Sequence, residues 1–369
     1  MKSKDNTKRN IRLSFCIPTY NFAEFLPETL DSIISQDNGQ IEIVIVDGNS
    51  TDQTDEIIKS YQSQFDRLVF YKRSQRCGVD RDILKSVKLA HGDYCWLFSA
   101  DDHLCPGSID RIISKMDESW NALITNFMLC DFNMSAVGPH EIVDWHQGDR
   151  VFDLSNAEQQ QQYLNLARTS TALFSFISSV IIKRADWLAA DDCETFCDTC
   201  WIIQAKAYAM MKNGMNLCYC PELLMNKRGD NDSFLSMGIA RRIKLALEDF
   251  PDVAKTFWGQ DSPIHLAAKR VTRNEISMSS LLSFKEKAHL QGDNYRELYE
   301  IVKQHWIHRR RDYFGYLILR FMPAKLIGQL KIITKKNMHL FKMIKKLQRA
   351  FDQKVESPKH SRFVYHATK

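Results

Sequence analysis

Short apolar runs alternate with amphipathic segments along the first third of the chain, and this alternation constrains the fold more than any other feature. Residues 13–17, 41–46, 68–71 and 94–98 are strand-like, and apolar residues recur every three or four positions after each of them. The β-branched run at 41–46 is typical of a strand that is buried on both faces. The alternation therefore predicts an α/β fold with a Rossmann-like, mostly parallel sheet flanked by helices.

The rest of the chain divides into segments of different character. Residues 174–182 are strand-like, and helical patterns dominate the last third. We therefore expect four parts: a polar N-terminal segment at 1–11, an α/β domain at 12–235, a helical extension at 236–302, and basic amphipathic helices with a tail at 303–369.

Basic residues are concentrated near the end of the chain. The net charge of the whole chain is +5. Residues 303–354 alone contain fourteen lysines and arginines but only two acids, Asp312 and Asp352. Apolar residues recur at helical spacing in the same stretch, which is typical of helices that lie on an anionic membrane surface. An ordinary basic helix packed on the domain is the alternative. We expect no nucleic-acid partner, because no nucleic-acid-binding module is recognisable.

Targeting features predict a cytoplasmic protein that binds a membrane peripherally. The first residues lack the apolar core of a secretory signal, and no apolar run reaches the roughly 18 residues of a transmembrane helix. The ten cysteines form no regular framework, so we expect reduced thiols.

Polar residues follow three of the predicted strands at their carboxyl ends, where parallel sheets bind ligands. Residues 19–21 (Thr-Tyr-Asn) follow the first strand, Asp47 ends the second, and residues 99–102 (Ser-Ala-Asp-Asp) follow the fourth. We expect these residues to line one edge together. Asp47 could accept hydrogen bonds from a nucleotide base or ribose, or it could simply close a turn.

Asp101 and Asp102 form a pair of adjacent carboxylates. Such groups repel each other unless a cation shares them, and hard cations such as Mg²⁺ or Mn²⁺ prefer oxygen ligands. A metal bound there would stabilise a departing diphosphate. A polar loop with a solvated acid pair is the alternative.

The combination of these strand ends resembles the family 2 glycosyltransferases of GT-A fold. In that family the first strand runs into Pro-x-Tyr-Asn, the second ends in Asp before a Gly/Asn-Ser-Thr-Asp stretch, and the fourth ends in Asp-x-Asp. The matching residues here are 18–21, 47–52 and 99–101. The resemblance is strong over residues 13–116 and continues weakly to about residue 232. It implies a nucleotide-diphosphate-sugar donor and Mn²⁺ or Mg²⁺ as cofactor.

The resemblance also implies roles for individual residues. Asp101 would bind the metal. Ser99 replaces the first acid of the motif, so either Asp102 compensates for it or the metal binds weakly. Asp230 would be a further metal ligand, since it stands where many relatives have a histidine. The expected nucleotide-sugar-binding residues are Thr19, Tyr20, Asn21, Asp47, Asp82, Asp101 and Arg228.

An inverting transfer needs a carboxylate that takes the proton of the acceptor hydroxyl, and in this family it lies before a helix. Asp198 is the expected catalytic base, and Glu194 is its nearest rival. Asp198 could instead be a plain helix cap. Arg81 could reach a phosphate or could simply be solvated.

We therefore expect an inverting, metal-dependent transfer of a hexose or deoxyhexose to a lipid-linked or cell-surface saccharide. Residues 98–102 and 230–233 are similar to those of O-antigen enzymes such as abequosyltransferases, which implies lipopolysaccharide biosynthesis on the inner face of a bacterial plasma membrane. Two alternatives stay open. One is a sugar-nucleotide-binding module without turnover, suggested by Ser99, and the other is a membrane or nucleic-acid adaptor that acts through the basic tail.

Overall fold

One sheet organises the part of the chain that the computed structural model describes, which comprises residues 11–336 apart from 117, 233, 235–236, 294 and 308–309. The ten strands found in this part are β1 (Leu13–Thr19), β2 (Ile41–Asp47), β3 (Leu68–Lys72), β4 (Tyr94–Leu97), β5 (His103–Leu104), β6 (Ala122–Cys130), β7 (Ala136–His140), β8 (Arg150–Asp153), β9 (Val180–Lys183) and β10 (Asn216–Lys227).

The strands pair in the order β3-β2-β1-β4-β9-β6-β10-β5, with β7 beside β6 and β8 beside β10. The first four are parallel neighbours, β9 is antiparallel to both β4 and β6, and β6 and β10 return to the first direction. Six of the strands in the described chain therefore point the same way. The predicted α/β fold with a mostly parallel sheet is confirmed.

Helices connect the strands and dominate the chain after β10. They are α1 (Leu26–Ile34), α2 (Thr54–Gln62), α3 (Val79–Leu89), α4 (Ser108–Lys115), α5 (Ala157–Leu166), α6 (Arg184–Ala189), α7 (Ile202–Lys212), α8 (Ile239–Lys244), α9 (Phe250–Trp258), α10 (Pro263–Glu275), α11 (Met278–Gln291), α12 (Tyr295–His305), α13 (Arg310–Phe321) and α14 (Ala324–Lys336).

The strands β1 and β2 are buried over all seven residues of each. Successive side chains of a strand point to opposite faces of the sheet, so complete burial requires cover on both faces. This explains why the sequence shows continuous apolar runs here instead of an alternation of apolar and polar residues.

Buried apolar side chains form two clusters. The larger joins the sheet to its flanking helices and includes Phe250 of α9 and Val271 of α10, whereas the smaller joins α8 with α11–α13 around Leu281 and Val302. The helices expected after residue 235 are therefore present, although α9 and α10 belong to the larger cluster, where α9 contacts α7 and α10 contacts α5. The four-part division stays a prediction, and residues 1–10 and 337–369 lie outside the described residues.

Among the described helices, none combines the length and the apolar character that a membrane crossing requires.

Helix α3 fixes the start of α7. The buried carboxylate of Asp80 accepts hydrogen bonds from the backbone N–H groups of Cys200 (2.9 Å) and Ile202 (3.3 Å). The first N–H groups of a helix have no partner within the helix. Asp80 therefore supplies a cap from a distant part of the sequence.

Replacement of Asp80 by alanine should lower the free energy of unfolding by about 1–2 kcal/mol, because buried donors at the start of α7 lose their acceptor. Asp252→Ala is the matched control, because Asp252 is an exposed acid in the first turn of α9, and its cost should stay within about 0.5 kcal/mol. Urea unfolding measures both losses, and equal losses would contradict the capping role.

Candidate active site

The carboxyl ends of β1, β2 and β4 lie at one edge of the sheet. β1 is parallel to both of its neighbours, with Thr19 opposite Asp47 and Cys16 opposite Leu97. The backbone N–H of Phe98 then donates to the carbonyl of Cys16 (3.0 Å), so the chain after β4 continues toward the same edge. Asp47 and the loop at 99–102 therefore lie at the same edge of the sheet, where the parallel strands end, and β1 separates them.

Gly48 is the meeting point of several expected nucleotide-binding residues. Its N–H donates to the carbonyl of Thr19 (2.8 Å), and a Cβ atom at this position would lie 2.9 Å from Oδ2 of Asp82 and 3.6 Å from Cβ of Tyr20. The absence of a side chain at Gly48 thus lets Thr19, Tyr20 and Asp82 approach one point beside Asp47.

Asp47 is completely buried, and its carboxylate is held locally. It accepts hydrogen bonds from the Ser50 hydroxyl (2.5 Å) and from the Ser50 N–H (3.0 Å). Thr19 beside it is also buried, yet its hydroxyl has no hydrogen-bond partner among the described residues. A buried, unpaired hydroxyl is costly unless a ligand satisfies it.

Asn21 shapes the turn after β1. It has a left-handed backbone (φ 58°), its N–H donates to Oγ of Ser50 (2.8 Å), and its side-chain oxygen accepts from the N–H of Thr51 (2.8 Å). These contacts join the ends of β1 and β2. In this structure Asn21 therefore holds the backbone around Asp47 in place.

Two arginines that the sequence analysis did not single out lie beside Asp82. Nε of Arg73 donates to Asp82 (2.8 Å), and the guanidinium of Arg76 lies 4.1 Å from the ring centre of Tyr20. Burial raises the pKa of Asp82, Arg73 opposes this effect, and the charge of Asp47 adds to it. Arg73 comes directly after β3, which ends at the same sheet edge, and this position in the sequence could have identified it as a site residue.

The adjacent carboxylates Asp101 and Asp102 have different surroundings. Asp101 accepts one hydrogen bond on each oxygen, from the Ser99 hydroxyl (2.5 Å) and from the Asn231 amide (2.7 Å). Asp102 is 1% exposed and accepts from the Ser178 hydroxyl (2.6 Å) and from the N–H of Arg228 (3.0 Å). Burial, followed by the charge of Asp101, raises the pKa of Asp102 to about 7.

Arg228 braces the loop that carries these two acids. Its guanidinium donates to the carbonyls of Asp101 (3.1 Å) and Phe132 (2.6 Å) and forms an ion pair with Glu28 (2.6 Å). The hydrogen bond from Arg228 lowers the pKa of Glu28. These contacts involve Nε and both terminal nitrogens, so Arg228 holds the loop in this structure, and its expected role beside a diphosphate stays a prediction.

The segment after Arg228 passes very close to the end of β6. A Cβ atom at Gly229 would overlap the carbonyl oxygen of Cys130, so only glycine fits without a shift. Asp230 follows with a left-handed backbone (φ 55°) and an exposed side chain. Asn231, which the sequence analysis did not single out, is the residue of this segment that contacts Asp101.

Asp198 lies before α7, as expected for the catalytic base. It has a left-handed backbone (φ 73°) and an exposed side chain, and Oδ1 forms an ion pair with a terminal nitrogen of Arg81 (2.6 Å). This hydrogen-bonded ion pair lowers the pKa of Asp198. Glu194 is exposed in the preceding 3₁₀ turn, Glu194–Phe196.

A separate group of potential metal ligands lies away from this edge. Within the described chain, Asp149, Cys220 and Glu222 have ligand atoms close enough to share an ion. Arg111 pairs with both Asp149 (3.3 Å) and Glu222, and Lys115 also pairs with Asp149. Protein cations already balance these carboxylates, so the strand-end site is the stronger candidate.

Comparisons with known proteins agree with this geometry. The model of the family described as Glycosyl transferase family 2 matches residues 14–182. Abequosyltransferase RfbV of Salmonella typhimurium is 34% identical over 275 residues, which cover 71% of this chain and 80% of RfbV.

Two solved structures share the fold. TarS 1–349 of S. aureus in complex with UDP-GlcNAc superposes with a TM-score of 0.55 at 15% identity, covering 89% of this chain and 92% of the TarS 1–349 chain. The mannosyltransferase PcManGT of Pyrobaculum calidifontis, in complex with GDP-Man and Mn²⁺, has a TM-score of 0.50 at 16% identity, covering 86% and 87%.

The expected family resemblance is thereby confirmed, since the extent and identity of the match to RfbV add to the motifs at the strand ends. The chain belongs to glycosyl transferase family 2 and is a glycosyltransferase of GT-A fold.

Proposed function

We propose that the protein transfers a hexose or deoxyhexose from a nucleotide diphosphate to a saccharide acceptor, with inversion at the sugar carbon. The observation that carries this proposal is the gathering of Asp47, Asp82 and Asp101 at one sheet edge, with Arg73 and Arg76 beside them. The UDP-GlcNAc and GDP-Man bound to TarS and PcManGT support a donor of this class.

The nucleoside would lie against Thr19, Tyr20 and Asp47. The unpaired hydroxyl of Thr19 offers a donor, the carboxylate of Asp47 offers an acceptor, and the ring of Tyr20 offers a flat surface. The exposed Arg76 on that ring would add positive charge next to the diphosphate.

Asp101 fits a divalent cation such as Mn²⁺ or Mg²⁺. Each of its oxygens accepts one hydrogen bond and has a lone pair left for a metal. Burial is the main cause of the raised pKa of Asp102 and the charge of Asp101 adds to it, so a cation beside this pair would favour the ionised forms. Asp230 would be a further ligand from the facing segment. When bound, the cation would offset the charge of the departing diphosphate.

Asp198 would act as the base that receives the proton of the acceptor hydroxyl. Its carboxylate is exposed, and the ion pair with Arg81 lowers its pKa. Glu194 in the preceding turn is the alternative base.

The acceptor would be a lipid-linked or cell-surface saccharide, as in O-antigen assembly for lipopolysaccharide. The similarity to an abequosyltransferase supports this class. The described C-terminal helices add an exposed surface in which Phe314 (66% exposed) and Phe321 (76%) accompany the exposed cations Arg310, Arg320 and Lys325. Such a surface suits peripheral binding to anionic lipids on the cytoplasmic face of a bacterial plasma membrane.

Donor binding is testable by thermal shift with UDP, GDP, CDP and dTDP, each with and without Mn²⁺. One nucleotide should stabilise the protein in a Mn²⁺-dependent manner, by about 2.7 kcal/mol at one hundred times its Kd. Asp101→Ala should abolish the Mn²⁺-dependent part, and Asp47→Ala should reduce the nucleotide effect. Asp149→Ala is the control: its baseline stability should fall because buried Lys115 loses its partner, while its nucleotide- and Mn²⁺-dependent shifts should match those of wild type. A loss of stabilisation in the control alone would place the cation elsewhere.

Catalysis is testable with the nucleotide sugar that this screen selects. Asp198→Asn should lower kcat by roughly 10²–10⁴-fold, because the acceptor hydroxyl loses its proton acceptor, while donor binding stays unchanged. Glu194→Gln should retain activity. If the two variants exchange these outcomes, Glu194 is the base. Donor binding without turnover by the wild-type protein, with every sugar and acceptor tried, would instead favour a sugar-nucleotide-binding module.

Membrane binding is testable by sedimentation of the full chain with vesicles of phosphatidylcholine and phosphatidylglycerol. Binding should increase with the phosphatidylglycerol fraction and decrease at high salt. A Phe314→Ser/Phe321→Ser variant should bind more weakly, and Val137→Ser, which removes an exposed apolar side chain of β7, should not. Binding that is indifferent to anionic lipid would contradict the proposal.

A further inference from the structure

We propose that Arg81 is a positioning residue that holds Asp198 in place as the base. The inference rests on the proposed function, because it needs Asp198 to accept the proton. Neither residue lies in a motif whose spacing would reveal the pairing, since 117 positions separate them.

The contact fixes one carboxylate oxygen and leaves the other available. A terminal nitrogen of Arg81 lies 2.6 Å from Oδ1 of Asp198 and also donates to the carbonyl of Cys77 (3.0 Å). Among the described residues, Oδ2 of Asp198 has no hydrogen-bond partner that would compete for an incoming proton. The contact through Oδ1 orients the carboxylate and leaves Oδ2 able to accept a proton.

The first turn of α3 links this pair to the donor side of the site. Its three consecutive charged residues each bind a different element: Asp80 caps α7, Arg81 holds Asp198, and Asp82 pairs with Arg73 beside Gly48. Arg73 also donates to the carbonyl of Arg81 (2.7 Å). One helical turn therefore sets the position of the base relative to the nucleotide pocket.

Among the described residues, Arg81 is the group that lowers the pKa of Asp198, while the charge of Asp198 adds to the effect of burial in raising the pKa values of Asp80 and Cys197. The ion pair is exposed on both sides, so its removal should cost little stability. A loss of activity on removal of Arg81 would therefore reflect the base and not the fold.

The experiment compares Arg81→Gln and Arg81→Lys with Lys88→Gln in the full chain. Lys88 is the matched control, because it forms another exposed ion pair from α3, with Asp192 (3.4 Å). In Arg81→Gln, kcat should fall by roughly ten- to a hundredfold with an unchanged KM for the donor. The acid limb of its pH profile should move to higher pH. Arg81→Lys should recover part of kcat, and Lys88→Gln should match wild type.

Several results would overturn the proposal. A raised donor KM at constant kcat would show that Arg81 binds the donor. If both kcat and KM stay unchanged, the ion pair does not contribute to catalysis. A fall in kcat with a lower Tm and no shift of the acid limb would show a structural role. The carboxyl titration of Asp198, followed by ¹³C NMR, needs no turnover. It should give a higher pKa in Arg81→Gln, and no change would refute the pairing even if the proposed transfer itself fails.

Discussion

The site depends on the crowding of carboxylates where parallel strands end. Asp47 and Asp82 come within reach of each other beside Gly48, and Asp101 and Asp102 are neighbours in the chain. Burial is the main cause of the raised pKa values of Asp82 and Asp102, and the neighbouring carboxylates Asp47 and Asp101 raise them further, so the ionised forms of both groups are costly. A ligand that brings positive charge to this edge would stabilise the ionised carboxylates. A nucleotide diphosphate that binds together with a divalent cation is such a ligand.

Arginines at this edge act in different ways. Arg228 is buried, and its guanidinium contacts the loop at 101–102, Phe132 and Glu28, so it stabilises the loop that carries Asp101, the proposed metal ligand. Arg73 pairs with Asp82, and the exposed Arg76 stays near Tyr20. The buried Arg228 keeps the loop with Asp101 and Asp102 in place, whereas the exposed Arg76 is accessible to a ligand. This arrangement would suit a site whose acids stay fixed while the proposed donor binds and dissociates.

Local patterns predicted the sheet, because continuous apolar runs and helical periodicity depend on neighbouring residues alone. They also predicted that Asp47 and Asp101 share an edge, since parallel strands leave little choice. Local patterns cannot predict contacts between distant positions of the chain. Examples are the ion pair of Arg228 with Glu28 and the hydrogen bond from Asn231 to Asp101. The strand expected at 174–182 begins only at Val180, because Phe174 adopts a left-handed backbone (φ 70°) and two 3₁₀ turns precede β9.

The most direct measurement is anomalous X-ray diffraction from crystals soaked with Mn²⁺ and the nucleotide that stabilises the protein most. The proposed site predicts a Mn²⁺ peak within bonding distance of a carboxylate oxygen of Asp101, and a nucleoside in contact with Thr19 and Asp47. A Mn²⁺ peak between Asp149 and Glu222, or a nucleotide bound away from Asp47, would contradict it.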